Sequence, residues 1–202
     1  MAKKQKAAPS PPPEIKLDLG CGRNKLPGYT GVDLYAPDDP DIIKANLFEL
    51  PWRKYGEGAP SLSAPLFAND SVTEIHASHF LEHVPQKLRW PFMEECWRVL
   101  KPEGIMRLFV PSWKSERAYG DMTHEWPPVV AMFFFYLNKG WREANKLTYG
   151  PYDLKCNFDH QAGPTVITGE WATRAQEAQQ FACTHYLETY LDMWVTLTKK
   201  NL

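Results

Sequence analysis

Short apolar runs, each followed by glycine, proline or aspartate, recur through the first half of the chain. Runs of this length between turn-forming residues predict buried β-strands. Four strands are predicted in this way, at residues 15–19, 30–34, 42–46 and 72–77.

A helix and a fifth strand follow. After Pro85, apolar side chains recur at spacings of three and four, the period of an amphipathic helix. Residues 101–104 are predicted to end this helix, because proline cannot continue its hydrogen-bond ladder and glycine permits a turn. Residues 105–110 then predict a buried strand. Strands alternating with helical segments indicate parallel pairing and a doubly wound sheet, with ligands at the carboxyl ends of the strands.

The second half of the chain gives a weaker pattern. Residues 170–190 predict a helix, and the apolar alternation of residues 191–198 is typical of an edge strand. Residues 111–169, rich in Trp, Tyr and Pro, predict an insertion or cap that contacts the substrate. We therefore expect one domain over residues 14–202, preceded by a disordered tail at residues 1–13.

Composition excludes several classes of protein. With 23 basic and 24 acidic side chains, the chain has no net field that would concentrate nucleic acid or an anionic membrane. Its longest apolar run, residues 129–137, is about half the length of a membrane span. The four cysteines form no C-x-x-C pair, so neither a zinc knuckle nor a disulfide framework is indicated. A soluble, cytoplasmic protein is expected.

Two glycines follow the first predicted strand, in the sequence Leu17-Asp18-Leu19-Gly20-Cys21-Gly22. A turn without side chains lets a ligand approach the backbone. Asp33, thirteen residues after Gly20, ends the next strand, where its carboxylate can accept hydrogen bonds from both hydroxyls of a ribose. The glycine pair alone indicates a structural turn as readily as a binding loop, but its combination with Asp33 is more specific.

These segments resemble the class I S-adenosylmethionine-dependent methyltransferases. The resemblance rests on residues 17–22, on Gly31-Val32-Asp33-Leu34 and on Asn46-Leu47. Residues 77–84 and 95–111 are similar to the fourth and fifth strands, with the helix between them, of the small type 11 methyltransferases. The resemblance implies a Rossmann-like α/β fold in which a mostly parallel seven-stranded sheet ends in an antiparallel C-terminal strand.

The resemblance also implies S-adenosylmethionine as the cofactor and assigns its site. It implies that Asp18 orders the turn or the cofactor's amine, that residues 20–22 approach the methionine part, and that Asp33 holds the ribose. The cofactor-binding residues that it implies are Asp18, Gly20, Cys21, Gly22, Asp33, Leu34, Asn46, Leu47, Ser78 and His79.

Asn46 departs from the family pattern, because many relatives have an aspartate there. With the backbone of Leu47 it is expected to face adenine, and its amide offers an oxygen but no charge. Ser78 and His79 are expected beside the methionine end, where His79 can be an orienting or a reactive group.

The connection after the glycine turn is too short for a crossover helix. Only residues 23–29 lie between the turn and the second strand, and they include Pro27 and Gly28. Dinucleotides need the N-terminus of that helix for their pyrophosphate, whereas S-adenosylmethionine has no phosphate. The shortened crossover therefore argues against a dehydrogenase.

A metal motif competes for part of the same segment. His79, Glu82 and His83 match H-x-x-E-H, in which two histidines one helical turn apart bind zinc and a glutamate acts as base. These residues follow a strand directly, and Pro85 is better placed to start a helix than to continue one. A zinc hydrolase is therefore the less favoured hypothesis, and no metal ligand is assigned.

The catalytic candidates lie after the fifth strand. Asp121 and His124 form a D-x-x-H step in which the histidine can take a proton and the carboxylate can orient it, although a surface turn explains the pattern equally well. His83 is a weaker candidate. The sequence does not identify the acceptor. The DNA-methyltransferase signatures are absent, and the dense aromatic residues within 113–149 favour a small or glycan-like molecule, although such residues also pack cores and caps. A non-catalytic binding module remains the alternative.

Overall fold

The computed structural model describes residues 14–36, 38–53 and 64–202. The predicted tail at residues 1–13 lies outside the described residues. The structure is a single twisted sheet with helices packed on it, and it contains seven strands in the described part of the chain: β1 Ile15–Leu19, β2 Thr30–Val32, β3 Ile42–Ile43, β4 Val72–Ser78, β5 Leu100–Pro111, β6 Phe158–Pro164 and β7 Asp192–Lys199.

The strand order across the sheet is β3-β2-β1-β4-β5-β7-β6. The first five strands pair in parallel, and β7 runs antiparallel to both β5 and β6. This is the mostly parallel seven-stranded sheet that the family resemblance implies. The order reverses at β1, so the carboxyl ends of β1 and β4 flank the crevice in which such folds bind ligands.

The helices of the described residues are short, apart from the one that connects β4 to β5. That helix, Gln86–Val99, ends before residues 101–104, the segment that was predicted to end it, and this segment belongs to β5. The α-helices are α1 Gln86–Val99, α2 Arg117–Gly120, α3 Ala131–Phe135, α4 Lys139–Ala144 and α5 Gln176–His185, and single 3-10 turns lie at Leu81–His83, Gly150–Tyr152 and Gly169–Thr173.

The first crossover has no helix. Residues 20–29, all of them described, form only turns and extended chain between β1 and β2. Gly20 N–H donates to the carbonyl of Val32 at 2.9 Å, which joins the turn directly to the second strand. The shortened crossover predicted from Pro27 and Gly28 is thus present.

Two elements of the C-terminal half differ from their predictions. The strand predicted at the edge, β7, lies between β5 and β6, and the edge strand is β6. Because β6 carries mostly exposed side chains, its sequence lacks the apolar alternation of a strand, and it falls within residues 111–169, which were expected to form a cap. The helix expected at residues 170–190 is interrupted, because Arg174 and Ala175 adopt extended backbone and Tyr190 bridges to Ile167.

The core of the central strands lies on one face of the sheet, on which Leu17, Ile75 and Met106 are neighbours in register. All three side chains are fully buried. Trp52 is also fully buried, with its ring 5.8 Å from that of Phe92. Its indole N–H donates to the carbonyl of Leu47 at 3.2 Å, which fixes the loop after β3 against the core. None of the helices in the described residues has the length and apolar character needed to cross a membrane.

Candidate functional site

The glycine turn and Asp33 are joined by hydrogen bonds. Asp33 Oδ2 accepts from Gly22 N–H at 2.9 Å, and Oδ1 accepts from the N–H groups of Tyr35 and Ala36 at 2.7 and 2.8 Å. A carboxylate has about four acceptor positions, so three backbone donors leave one open, on Oδ2. The structure therefore leaves room for one ribose hydroxyl at this carboxylate where the sequence prediction expected two.

Asp18, at the end of β1, binds the backbone of the connection that follows the glycine turn. Its side chain is buried, with Oδ2 accepting from Leu26 N–H at 2.8 Å and Oδ1 lying 2.9 Å from His76 Nδ1. Both oxygens are thus engaged by the protein. In this arrangement Asp18 orders the shortened crossover, and His76 on β4 is a partner that sequence patterns did not single out.

Five of the ten predicted cofactor residues line one cavity of about 130 Å³ at the carboxyl ends of β1 and β2. These five are Gly20, Asp33, Leu34, Asn46 and Leu47, and the remaining lining residues are Tyr35, Ala45, Phe48 and Phe80. We call this space the cofactor cavity, after the residues of the predicted cofactor site that line it. The glycine turn and the carboxylate of Asp33 therefore face the same space, which the sequence argument required.

Phe80 stands over the glycine turn. A Cβ at residue 20 would lie 2.1 Å from Phe80 Cδ2, and Gly20 has a φ of +65°, so no other residue fits there without a shift. The Phe80 ring also packs against Phe48, with their centroids 6.0 Å apart. These rings reduce the volume of the cofactor cavity below the 300 Å³ or so of an ordinary small-molecule pocket.

The remaining predicted cofactor residues are not in this cavity. The Cys21 thiol packs over β2, since a Cβ on Gly31 would lie 2.8 Å from its sulfur. Burial, followed by the charges of Asp18 and Asp33, raises the pKa of Cys21 to about 11, so the thiol is protonated at neutral pH. Ser78 ends β4 and is partly buried, while His79 turns away from the cofactor cavity into a second one.

Asn46 is held by its own loop. Its Oδ1 accepts from Phe48 N–H at 3.0 Å, and its Nδ2 donates to Glu49 Oε1 at 2.9 Å. An aspartate at this position would place its charge against the carboxylate of Glu49. The amide that departs from the family pattern therefore fits its neighbour in this chain.

A second cavity of about 670 Å³ opens beside the first. It is lined by the predicted catalytic residues Asp121, His124 and His83, together with His79, Glu82, Pro111, Arg117, Gly120 and Met122. We call it the acceptor cavity, after the predicted catalytic residues that line it. His79 has a positive φ of 52° and lines this cavity, whereas the next residue, Phe80, lines the cofactor cavity. The two cavities are therefore neighbours at the carboxyl end of β4.

Charged groups converge on His79. Its Nδ1 lies 3.2 Å from Glu82 Oε1, and its Nε2 lies 3.9 Å from Asp192 Oδ2, which also accepts from Arg117 at 2.8 Å. The hydrogen bond with Glu82 raises the pKa of His79, and burial opposes it. Asp192 Oδ1 and Glu82 Oε2 are buried without a hydrogen-bond partner among the described residues.

The predicted pair of Asp121 and His124 is looser than a hydrogen bond. Asp121 Oδ2 lies 3.8 Å from His124 Nε2, and Asp121 Oδ1 accepts from the backbone N–H and the hydroxyl of Thr123 at 2.8 and 2.7 Å. These hydrogen bonds lower the pKa of Asp121. His83 and His124 pack edge to face with their ring centroids 4.8 Å apart.

The structure does not form the helical H-x-x-E-H motif. Glu82 and His83 lie in a single 3-10 turn, Leu81–His83, and His79 precedes that turn with left-handed backbone. Among the described residues, Glu82 and His83 instead approach His124, which comes from the loop after β5. The geometry on which the hydrolase hypothesis depends is therefore absent.

Sequence patterns also missed the arginine that holds the acceptor cavity together. Arg89 on α1 is buried and donates to the carbonyls of Val84 and Glu125 at 3.1 and 2.7 Å. It thereby ties the turn after β4 to the loop that carries His124. In the sequence, Arg89 is simply a charged residue in the helix predicted after Pro85. Its partners are backbone carbonyls, which no sequence pattern shows.

Residues 17–108 match the type 11 family model that is described as a methyltransferase domain. This segment contains the glycine turn, Asp33, Asn46 and His79 to His83, but it ends before Asp121 and His124. No match was found among curated proteins.

Solved structures share the fold. A SAM-dependent methyltransferase from Archaeoglobus fulgidus has a TM-score of 0.60 at 17% identity, with 92% of this chain and 86% of that chain covered. A SAM-dependent methyltransferase from Methanosarcina mazei has a TM-score of 0.51 at 14% identity, with 94% and 93% covered. At these identities the likeness shows the fold alone.

Proposed function

We propose that this protein is an S-adenosylmethionine-dependent methyltransferase that methylates a small polar or glycan-like acceptor, and the match of residues 17–108 to the type 11 methyltransferase domain model supports this. The observation that carries the proposal is the placement of His79 and Phe80, consecutive residues that line the acceptor cavity and the cofactor cavity respectively. A methyl donor and an acceptor held in these cavities would meet at the end of β4.

On the cofactor side, we propose that the residues of the first cavity bind S-adenosylmethionine. The free acceptor position on Asp33 Oδ2 would take a ribose hydroxyl, and Leu34, Asn46 and Leu47 would surround adenine. The Gly20 turn would receive the methionine part, with the Phe80 ring moving aside to enlarge the cavity. When bound, S-adenosylmethionine supplies an electrophilic methyl group on a sulfonium.

On the acceptor side, the chain's main task is alignment. The sulfonium leaves as a neutral thioether, so the protein has to orient the acceptor toward the methyl group and exclude water. The acceptor cavity of about 670 Å³ suits a molecule of the size of a sugar or an aromatic alcohol. Its polar lining of Asp121, His83, His124 and His79 favours an acceptor that carries hydrogen-bonding groups.

We also propose a reducing compartment such as the cytoplasm. All four cysteines are free, and Cys96 and Cys156 are buried. Burial raises the pKa of both thiols, so neither is poised for oxidation.

The proposed activity is tested by the release of S-adenosylhomocysteine. Purified protein would be incubated with S-adenosylmethionine and, separately, with monosaccharides, catechols and primary amines, and the release without acceptor would be subtracted. Release that depends on one acceptor class is expected. Saturable cofactor binding without acceptor-dependent release across all three classes would instead favour the non-catalytic binding module.

A further inference from the structure

Three side chains of the acceptor cavity form a compact set of potential metal ligands. Glu82, His83 and His124 each offer one ligand atom, and these atoms lie within 4.8 Å of one another. Glu82 and His83 belong to the 3-10 turn after β4, and His124 to the loop after α2. The two segments are fastened by a hydrogen bond of 2.8 Å from Glu125 N–H to the carbonyl of Glu82.

One atom of this set is buried without a partner. Glu82 is only 4% exposed, and its Oε2 has no hydrogen-bond partner among the described residues. The buried guanidinium of Arg89 donates to backbone carbonyls, including that of Glu82 at 3.5 Å, and does not bond this carboxylate. A buried, half-satisfied carboxylate is costly unless a cation or a donor completes it.

Both imidazoles are fixed by contacts at Nδ1. His83 Nδ1 lies 3.2 Å from the carbonyl of Thr123 and 3.0 Å from the hydroxyl oxygen of Thr123, which donates its own proton to Asp121 Oδ1. His124 Nδ1 lies 3.3 Å from the carbonyl of Ala118. A carbonyl can only accept, so each Nδ1 carries the proton and each Nε2 keeps its lone pair. Histidines that bind metals are characteristically fixed by a hydrogen bond from the other ring nitrogen.

We propose that Glu82, His83 and His124 bind one divalent transition-metal ion at the wall of the acceptor cavity. Two imidazoles and one carboxylate suit zinc and its first-row neighbours, and three protein ligands leave a coordination position open. The carboxylate of Asp121, with Oδ2 3.8 Å from His124 Nε2, adds negative charge beside the cluster. This set differs from the H-x-x-E-H motif, because His124 takes the place of His79.

The open position gives the ion a role in the proposed function, on which this step rests. An acceptor hydroxyl bound there would lose its proton to solvent more readily, because the ion stabilises the resulting alkoxide. The alkoxide oxygen would then form the new C–O bond as the bond between methyl carbon and sulfur breaks. The sulfur keeps that electron pair, and S-adenosylhomocysteine leaves neutral. The acceptor class inferred is therefore an alcohol or a phenol.

The test is direct metal binding by the tag-free full chain after treatment with a chelator. Titration with Co²⁺, followed by its visible absorption, and with Zn²⁺, followed by calorimetry, is expected to show one equivalent bound. His83→Ala and His124→Ala are each expected to weaken binding at least tenfold. His185→Ala, which removes an exposed histidine on α5, is the matched control and should leave binding unchanged.

Absence of saturable binding by folded wild-type protein would overturn the metal site, and so would unchanged affinity in both His83→Ala and His124→Ala. Calorimetry with S-adenosylhomocysteine on the same proteins separates this result from the proposed function. Metal binding that fails while S-adenosylhomocysteine still binds refutes only the metal site. Failure of S-adenosylhomocysteine to bind refutes the methyltransferase proposal. The metal titration then still decides whether the metal site exists.

Discussion

The carboxylate of Asp33 accepts a hydrogen bond from the backbone N–H of Gly22 at 2.9 Å, across a connection that has no helix. This bond ties the end of β2 to the glycine turn after β1. In a chain with a full crossover helix, the helix would brace that turn. Here a single carboxylate braces the turn and also faces the cofactor cavity, so changes at Asp33 should affect folding and binding together.

Asp33→Ala should lower both stability and affinity for S-adenosylhomocysteine. Three backbone N–H groups lose their acceptor, which should cost about 1–3 kcal/mol in the free energy of unfolding measured with urea. Loss of a charged partner for the ribose should weaken binding about ten- to a hundredfold in calorimetry. Asp39→Ala is the control, because the Asp39 side chain accepts from Asp41 N–H within an exposed loop. Equal effects of the two substitutions would contradict the role given to Asp33.

Gly20→Ala should abolish detectable binding of S-adenosylhomocysteine. The new methyl group would lie 2.1 Å from Phe80 Cδ2 and would point into the cofactor cavity. Gly28→Ala provides a matched control, since Gly28 also has a positive φ, of +79°, but no atom within 4 Å of the added carbon. The control should lose only the 1–2 kcal/mol or so of left-handed strain and should keep its affinity. Retained binding in Gly20→Ala would show that the cofactor lies elsewhere.

Asn46→Asp should destabilise the loop after β3. The new carboxylate would face Glu49 Oε1, to which the amide now donates at 2.9 Å. Because Glu49 is exposed and Asn46 is only partly buried, the free energy of unfolding should fall by less than about 1 kcal/mol. The double variant Asn46→Asp with Glu49→Gln should recover the loss in urea unfolding. A double variant no more stable than the single one would contradict this explanation.

Cys21 should react slowly with iodoacetamide. Its pKa of about 11 means that little thiolate is present near pH 8, and the thiolate fraction rises only as the pH approaches that value. After allowance for the greater nucleophilicity of a basic thiolate, labelling at pH 8 should be about tenfold slower than for a cysteine in a short peptide. Peptide mass spectrometry would measure both rates in one mixture. Equal rates would show that the thiol is not packed over β2.

The cofactor half of the molecule was predictable because its signals are local. Buried runs such as residues 15–19 and 72–77 end in glycine or polar residues, and the sheet they imply brings Gly20 and Asp33 to one edge. The short span of residues 23–29 likewise predicted the missing helix, since a connection of that length leaves no room for a crossover helix.

The acceptor half was less predictable because its contacts are distant in sequence or depend on backbone angles. Arg117 and Asp192 meet from 75 residues apart, and no pattern in the sequence links them. The left-handed φ of 52° at His79 sends this side chain and Phe80 into different cavities, whereas the sequence placed His79 with the cofactor. Strand β6 was not predicted, because an edge strand with exposed side chains has little apolar alternation in its sequence.

A crystal structure of the protein with S-adenosylhomocysteine would test the central claim most directly. We predict a ribose hydroxyl oxygen within about 3.2 Å of Asp33 Oδ2, with the Gly22 N–H bond retained and the Phe80 ring displaced from the glycine turn. A ribose bound away from Asp33, or a Phe80 ring still over Gly20 with the ligand elsewhere, would contradict the account.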